Sequence, residues 1–195
     1  MKLPTKTKTL VIFAVLLELL VFCICYISYS ETAEVFRHAA RYSGRIALLL
    51  WLVPFLYLAF NYHKLTTSVI AKLKRIVIFF CVCHLIHFGF LATNIYLNEI
   101  PLVPFKVAGG FLGYMMIMGY PFIINKIKRK GLHLVYFYYL GIVIAMTYVA
   151  RIKGDFQGVT PSTVHYLGFG TALTVMLLST ILIIVKKPRT YVPQS

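Results

Sequence analysis

The sequence predicts an all-α integral membrane protein, a bundle of six transmembrane helices with both termini in the cytoplasm. Of its 195 residues 60% are hydrophobic and only 13% are charged, and the mean hydropathy is +0.83. A soluble domain is about half apolar and about a quarter charged. The 20 basic residues outnumber the 5 acidic ones and give a net charge of +15. A nucleic-acid-binding protein would carry such charge on a polar surface, so the apolar composition favours the membrane.

A helix needs about 20 predominantly apolar residues to cross a bilayer. Six segments meet this requirement, with approximate bounds 10–30, 46–62, 76–97, 102–124, 132–150 and 166–185. The first follows three lysines, as a signal peptide would, but it is longer than the roughly 7–15 apolar residues of such a peptide and lacks an A-x-A-like cleavage site. We expect a retained helix, one transmembrane domain over residues 1–195, and no soluble domain.

The distribution of charge predicts the orientation. Fourteen of the 20 lysines and arginines lie in segments 1–9, 61–75, 125–131 and 186–195. The connections on the other side hold the remaining six, together with every acidic residue outside the spans. Because cytoplasmic loops are enriched in lysine and arginine, both termini are expected in the cytoplasm of a multi-pass protein of the cell (inner or plasma) membrane.

The first span carries one acidic residue, Glu18, near its middle. An ionisable group inside a membrane is costly and is commonly functional. The alternative is a protonated or hydrogen-bonded glutamate that joins two helices, and the sequence leaves both interpretations open. The cysteines of the first and third spans form C-x-C pairs, with thiols about 200° apart around a helix. They are expected to be small apolar core residues rather than metal ligands.

Three histidines lie inside the later spans. His84 and His87 are three residues apart on the third span and share a helix face. His133 lies at the start of the fifth span, beside an aromatic cluster that begins with Tyr136. Imidazoles on two helices of a bundle are a typical way to hold a haem or a metal. The alternatives are neutral histidines bonded to a neighbouring helix, and aromatic rings that form an interfacial belt or a packed core.

Three short motifs resemble the ferric-reductase-like transmembrane domain, in its order and over roughly residues 41–187. The segment 41–50 followed by Pro54 is similar to that family's second helix. Lys74-Arg75 and then His87 are similar to its third helix, and the basic run before L-H-x-x-x-Y at 132–136 is similar to its fifth. The closest shape is the small form without a flavin domain, such as the haem-bearing membrane subunit of the bacterial methionine sulfoxide reductase system.

The resemblance implies a haem b electron-transfer protein, an oxidoreductase subunit that passes electrons from a cytoplasmic flavin or quinol toward the outer face. The axial ligands to the haem iron would be His87, with His84 as a substitute, and His133, with Tyr136 beside the ring. A separate flavoprotein, quinol or other redox partner subunit would supply the electrons. Its docking patch would comprise Arg75, Lys126, Lys128, Arg129 and Lys130. The alternative for this patch is a topology signal that contacts lipid headgroups.

The chain departs from the family pattern where the second histidine of the fifth helix is expected. Residues 145–147 are Ala, Met and Thr. In addition, His87 lies about 18 Å past Arg75, whereas His133 lies only about 4–5 Å past Lys130. Three explanations stay open: the third helix begins before Lys72, Met146 replaces the missing ligand, or the haem has been lost.

Two other functions stay open, the first of them because of these departures. One is a non-catalytic six-helix scaffold or accessory subunit of a larger complex. The other is a small transporter, for which Glu18, the histidine pair and Pro54 are the few supporting features. Soluble-enzyme motifs such as G-x-G-x-x-G, the P-loop, G-x-S-x-G and H-E-x-x-H are absent from the sequence. No motif supports nucleic-acid binding.

Overall fold

The computed structural model describes residues 5–156 and 159–186, which form six α-helices. They are α1 (Thr5–Ser28), α2 (Thr32–Asn61), α3 (Thr67–Leu97), α4 (Pro104–Ile123), α5 (Lys130–Lys153) and α6 (Thr163–Val185). Short 3₁₀ turns at Tyr62–Lys64 and Ile124–Lys126 follow α2 and α4. All six helices are long and apolar enough to cross a membrane. The predicted all-α fold of six helices, each long and apolar enough to span a membrane, is confirmed.

Local sequence explains several helix ends. The Thr66 side chain accepts a hydrogen bond from the backbone N–H of Val69 at 3.3 Å, which caps the start of α3. Pro104 occupies the first turn of α4, where the missing N–H costs nothing. Gly154 ends α5 with φ of 74°, a left-handed conformation that glycine adopts without strain.

The short connections make successive helices antiparallel and give the bundle two ends. We call terminal end the one that contains the start of α1, the connections α2–α3 and α4–α5, and the end of α6. The opposite end contains the connections α1–α2, α3–α4 and α5–α6. At the terminal end, the Lys130 ammonium donates to the His63 carbonyl oxygen at 3.3 Å. A His63 ring nitrogen lies 2.6 Å from the Ile183 carbonyl oxygen, so α2, α5 and α6 meet there.

Two helices extend well beyond the predicted spans. Helix α2 begins at Thr32 rather than near residue 46, and α3 begins at Thr67 rather than near residue 76. The predicted spans begin where charged residues give way to apolar ones, but a charged residue does not end a helix. Arg37, for example, lies on α2 and bonds to Glu34 and Asn98. The arginines assigned to a loop before the second span are therefore helical.

Helix α2 lies at the centre of the bundle, with extensive contacts to α1, α3 and α6. Its fully buried residues Trp51, Phe55 and Leu58 join Phe80 of α3 and Phe137 of α5 in the main core. Large apolar side chains also point outward from most helices, for example Ile27, which is 84% exposed, and Phe105, which is 92% exposed. An outward apolar surface of this kind is what a lipid-facing bundle requires.

Candidate functional site

The two histidines of α3 lie side by side within the bundle. Their ring centroids are 5.4 Å apart, and His84 also packs against Phe80 and Tyr114 at 5.1 and 4.9 Å. The Nδ1 atoms of His84 and His87 are buried and have no hydrogen-bond partner among residues 5–156 and 159–186. Packing therefore holds both imidazoles, and each keeps one unsatisfied polar atom, which is costly inside a protein.

A glycine brings α2 directly against His87. A Cβ atom added at Gly44 would lie only 3.1 Å from Cε1 of His87, tighter than ordinary van der Waals contact. His87 is 9% exposed, so its ring fills the space between α2 and α3. Gly44 and His87 consequently lie at the same depth in the bundle.

The third candidate ligand, His133, is bound to the chain's own tyrosine. Its Nδ1 lies 2.6 Å from the Tyr120 hydroxyl, and the residue is 1% exposed. The Tyr120 ring stacks on Tyr136 with centroids 3.7 Å apart and planes 9° from parallel. Tyr136, which was predicted to lie beside a bound ring, thus packs against Tyr120 instead.

Helix packing gives the depth difference between His87 and His133. The Trp51 indole N–H donates to the Phe137 carbonyl oxygen at 3.2 Å, so these two residues share a level. Gly44, which marks the level of His87, is seven residues from Trp51 toward the opposite end. His133 is four residues from Phe137 toward the terminal end. At about 1.5 Å per residue, His87 and His133 differ in depth by about 16 Å.

This distance bears directly on the haem expectation. A nitrogen ligand lies about 2 Å from its metal ion, so two axial ligands on one iron are about 4 Å apart. His84 is three residues closer to the terminal end than His87, which still leaves about 12 Å. Helix α3 begins before Lys72, as one of the open explanations requires, yet the gap persists. The described residues do not fit a haem held between α3 and α5 by these histidines.

Met146 lies at a suitable depth but points the wrong way. It is nine residues beyond Phe137 on α5, within about 3 Å of the level of His87 by the same helix rise. Its side chain is 60% exposed, whereas its neighbour Ala145 is buried. The thioether therefore faces away from the bundle, so it is not directed toward the imidazole of His87.

Glu18 faces inward, toward α2 and α3. The residue is 1% exposed, and its carboxyl group lies beside the Ser43 hydroxyl. Neither Glu18 Oε2 nor Ser43 Oγ has a hydrogen-bond partner of ordinary geometry within the described part of the chain. Close by, the Cys83 thiol points at the Ala14 carbonyl oxygen across 3.9 Å. Polar groups from three helices therefore meet at this point of the interior.

The predicted docking residues all belong to the terminal end. Lys126, Lys128, Arg129 and Lys130 are exposed, and Arg75 is half-buried on α3. The turn Ile124–Lys126 packs against α3, so the basic run lies close to the start of that helix. These side chains form an exposed basic surface, and this arrangement suits both a protein partner and anionic lipid headgroups.

A second cluster of charged residues, at the opposite end, was not predicted from the sequence. Arg41 and Arg45 of α2 and Arg151 of α5 line one cavity of about 180 Å³ with Tyr148 and His165. The predicted spans placed the two α2 arginines in a loop, where they would have no fixed relation. Their spacing of four residues was the available signal, because residues at i and i+4 share a helix face.

Comparison with protein families, curated proteins and solved structures finds no match for this chain. The likeness to the ferric-reductase-like domain therefore rests on the three short motifs alone. What is established is a six-helix all-α chain whose helices can each cross a membrane.

Proposed function

We propose that the protein is a redox-inactive six-helix membrane component, an accessory or binding subunit that carries no haem between α3 and α5. It retains the helix order of the ferric-reductase-like motifs, with the basic terminal end in the cytoplasm. Electron transfer through haem b is the competing function. A haem absorption spectrum, described below, decides between the two functions.

The observation that carries this proposal is the depth difference of about 16 Å between His87 and His133 along the helix axes. It is supported by the surroundings of each imidazole. His133 is bonded to Tyr120, and His87 lies against the backbone of Gly44. Moving either ring onto a common iron would break these contacts and shift one helix by several turns against its neighbours.

A reduced-minus-oxidised spectrum of the purified full-length protein tests the proposal. Haem is supplied during expression, and a haem b membrane protein made in parallel shows that supply is sufficient. We expect no Soret or α-band. A band of about one haem per chain that is lost in both His87→Ala and His133→Ala would overturn the proposal in favour of electron transfer. Loss in His87→Ala and in Met146→Leu would identify a rearranged outer site, and it would overturn the proposal equally.

A second expectation follows from the proposed accessory role. The chain, solubilised in a mild detergent with an affinity tag, should co-purify with a larger membrane complex that is colourless or derives its colour from another subunit. The matched variant replaces Lys126, Lys128 and Arg129 with Gln, which removes exposed charge and leaves the Lys130–His63 hydrogen bond in place. Reduced recovery of the complex with this variant would place the contact at the terminal end. Normal assembly of that complex after deletion of the chain would contradict the role.

A further inference from the structure

The cavity at the opposite end collects positive charge from two helices. Arg41 and Arg45 reach it from successive turns of α2, and Arg151 reaches it from the last turn of α5. His165, in the first turn of α6, contributes a fourth nitrogen group to the wall. Like charges repel at short range in a medium of low dielectric. A protein that gathers three guanidinium groups in one place therefore gains from an anion between them.

The chain supplies no carboxylate to this cavity among its described lining residues. Of the acidic residues at this end, Glu34 pairs with Arg37 and His38, while Glu31, Glu99 and Asp155 are exposed. The charge of Arg37 is thus compensated by Glu34.

Aromatic rings lie against two of the guanidinium groups that line the cavity. Arg45 lies over the Tyr42 ring at 5.4 Å from its centroid. Arg151 lies between Tyr148 and Phe156, at 5.9 and 5.4 Å. Stacking of this kind positions the planar group through its face and leaves the N–H donors at its edge for a ligand. No ion pair to Arg45 or Arg151 is found within residues 5–156 and 159–186.

We propose that this cavity binds a phosphate group. Arginine donors in a fork match the oxygens of phosphate in pairs, and three such groups balance a doubly charged oxyanion better than a single carboxylate. The volume of about 180 Å³ is large enough for one phosphate group. The Thr160 and Ser162 residues, which also line the cavity, add hydroxyl groups as further donors.

The phosphate has two possible sources, a lipid headgroup or the free ion. Both present the same oxygens to the arginines, and the cavity lies at the end of the helices, where a membrane meets water. The inference does not depend on the absence of haem, because neither His84 nor His87 lines the cavity, although Gly44 of its wall packs against the His87 ring.

Equilibrium binding to the purified full-length protein tests the inference. The probes are radiolabelled inorganic phosphate and short-chain phosphatidic acid, with diacylglycerol of the same chain length as the lipid control. We expect at least one phosphate probe to bind, and Arg45→Gln and Arg151→Gln each to weaken binding at least about tenfold. Arg129→Gln removes the same charge from the terminal end and should change binding less than about twofold.

The pattern of binding identifies the source of the phosphate. Inorganic phosphate that binds alone indicates a free ion, phosphatidic acid that binds alone indicates a headgroup, and mutual competition indicates a site open to both. Arg151→Lys keeps the charge but not the fork and should bind with intermediate affinity, and circular dichroism verifies that each variant is folded. Binding of neither probe, or equal loss in Arg129→Gln, would overturn the inference.

Discussion

The indole N–H of Trp51 donates to the carbonyl oxygen of Phe137 across 3.2 Å, and this bond joins α2 to α5 near the middle of the core. Trp51 is completely buried and packs on Phe55 with ring centroids 5.3 Å apart. Phe55 in turn stacks on Phe137 with planes 3° from parallel. The contact fixes the relative depth of the two helices, so it also fixes how far apart their histidines lie.

Trp51→Phe should destabilise the bundle by about 1–3 kcal/mol, because it removes one buried hydrogen bond and leaves unfilled volume in the core. The measurement is thermal unfolding in detergent, followed by circular dichroism. Leu49→Ala is the control, since Leu49 is on the same helix and 58% exposed; it should change stability by less than about 0.5 kcal/mol. Equal effects of the two substitutions would contradict the central position of Trp51.

Gly141→Ala should destabilise the folded bundle by about 1–3 kcal/mol, because the added methyl group overpacks the core. A Cβ atom at this position would lie 2.7 Å from the Trp51 ring and 2.8 Å from the Met176 sulfur, and the indole has no room to move. Gly119→Ala on α4 is the matched control, because nothing lies within 4 Å of its added Cβ. That substitution should be neutral or slightly stabilising, since alanine favours a helix over glycine by about 1 kcal/mol. The same assay compares them, and a stable Gly141→Ala protein would show that α5 and α6 can separate.

Tyr120 and His133 should be energetically coupled. A double-mutant cycle of Tyr120→Phe and His133→Ala is expected to give an interaction free energy of about 0.5–2 kcal/mol, as befits a buried hydrogen bond between helices. The hydroxyl and Nδ1 are 2.6 Å apart, which is the basis of this expectation. Additive effects would mean that the bond contributes nothing, and His133 would then be free to take another partner.

The sequence sufficed for the fold because composition and charge act on whole segments. Six apolar runs of membrane length predict six helices irrespective of any single residue. The starts of α2 and α3 could not be predicted in this way, since Arg37 and its neighbours look like loop residues until their partners are known. Arg37 is accommodated in α2 by bonds to Glu34 and to Asn98 at the end of α3, a residue 61 positions away in the chain.

The candidate site shows more clearly what could not be predicted from the sequence. Spacing alone correctly brings His84 and His87 side by side. Sequence spacing gives the depth of His133 relative to His84 and His87 only if the position of the membrane edge is assumed. The Trp51–Phe137 contact gives that depth directly. The arginine cavity was out of reach for a similar reason, because Arg45 and Arg151 are 106 residues apart and only the packing of α2 against α5 and α6 unites them.

The effect of Gly44→Ala on the free energy of unfolding should depend on the residue at position 87, and its sign should reverse when His87 is replaced. In the wild-type protein the new methyl group would press on the His87 ring at 3.1 Å, and we expect a loss of about 1 kcal/mol. In a His87→Ala background that contact is gone, so the same substitution should be neutral or stabilising by up to about 1 kcal/mol. Unfolding of the four proteins in one detergent measures both steps. An equal loss in both backgrounds would mean that another group limits position 44.

The orientation can be tested with single cysteines in a variant without Cys23, Cys25, Cys81 and Cys83, none of which forms a disulfide. Lys128→Cys at the terminal end and Asp155→Cys at the opposite end replace exposed residues. Because basic residues concentrate at the terminal end, we expect a membrane-impermeant maleimide to label position 155 in intact cells. Position 128 should react only after the cells are opened. The reverse pattern would invert the orientation, and it would place the arginine cavity on the cytoplasmic side.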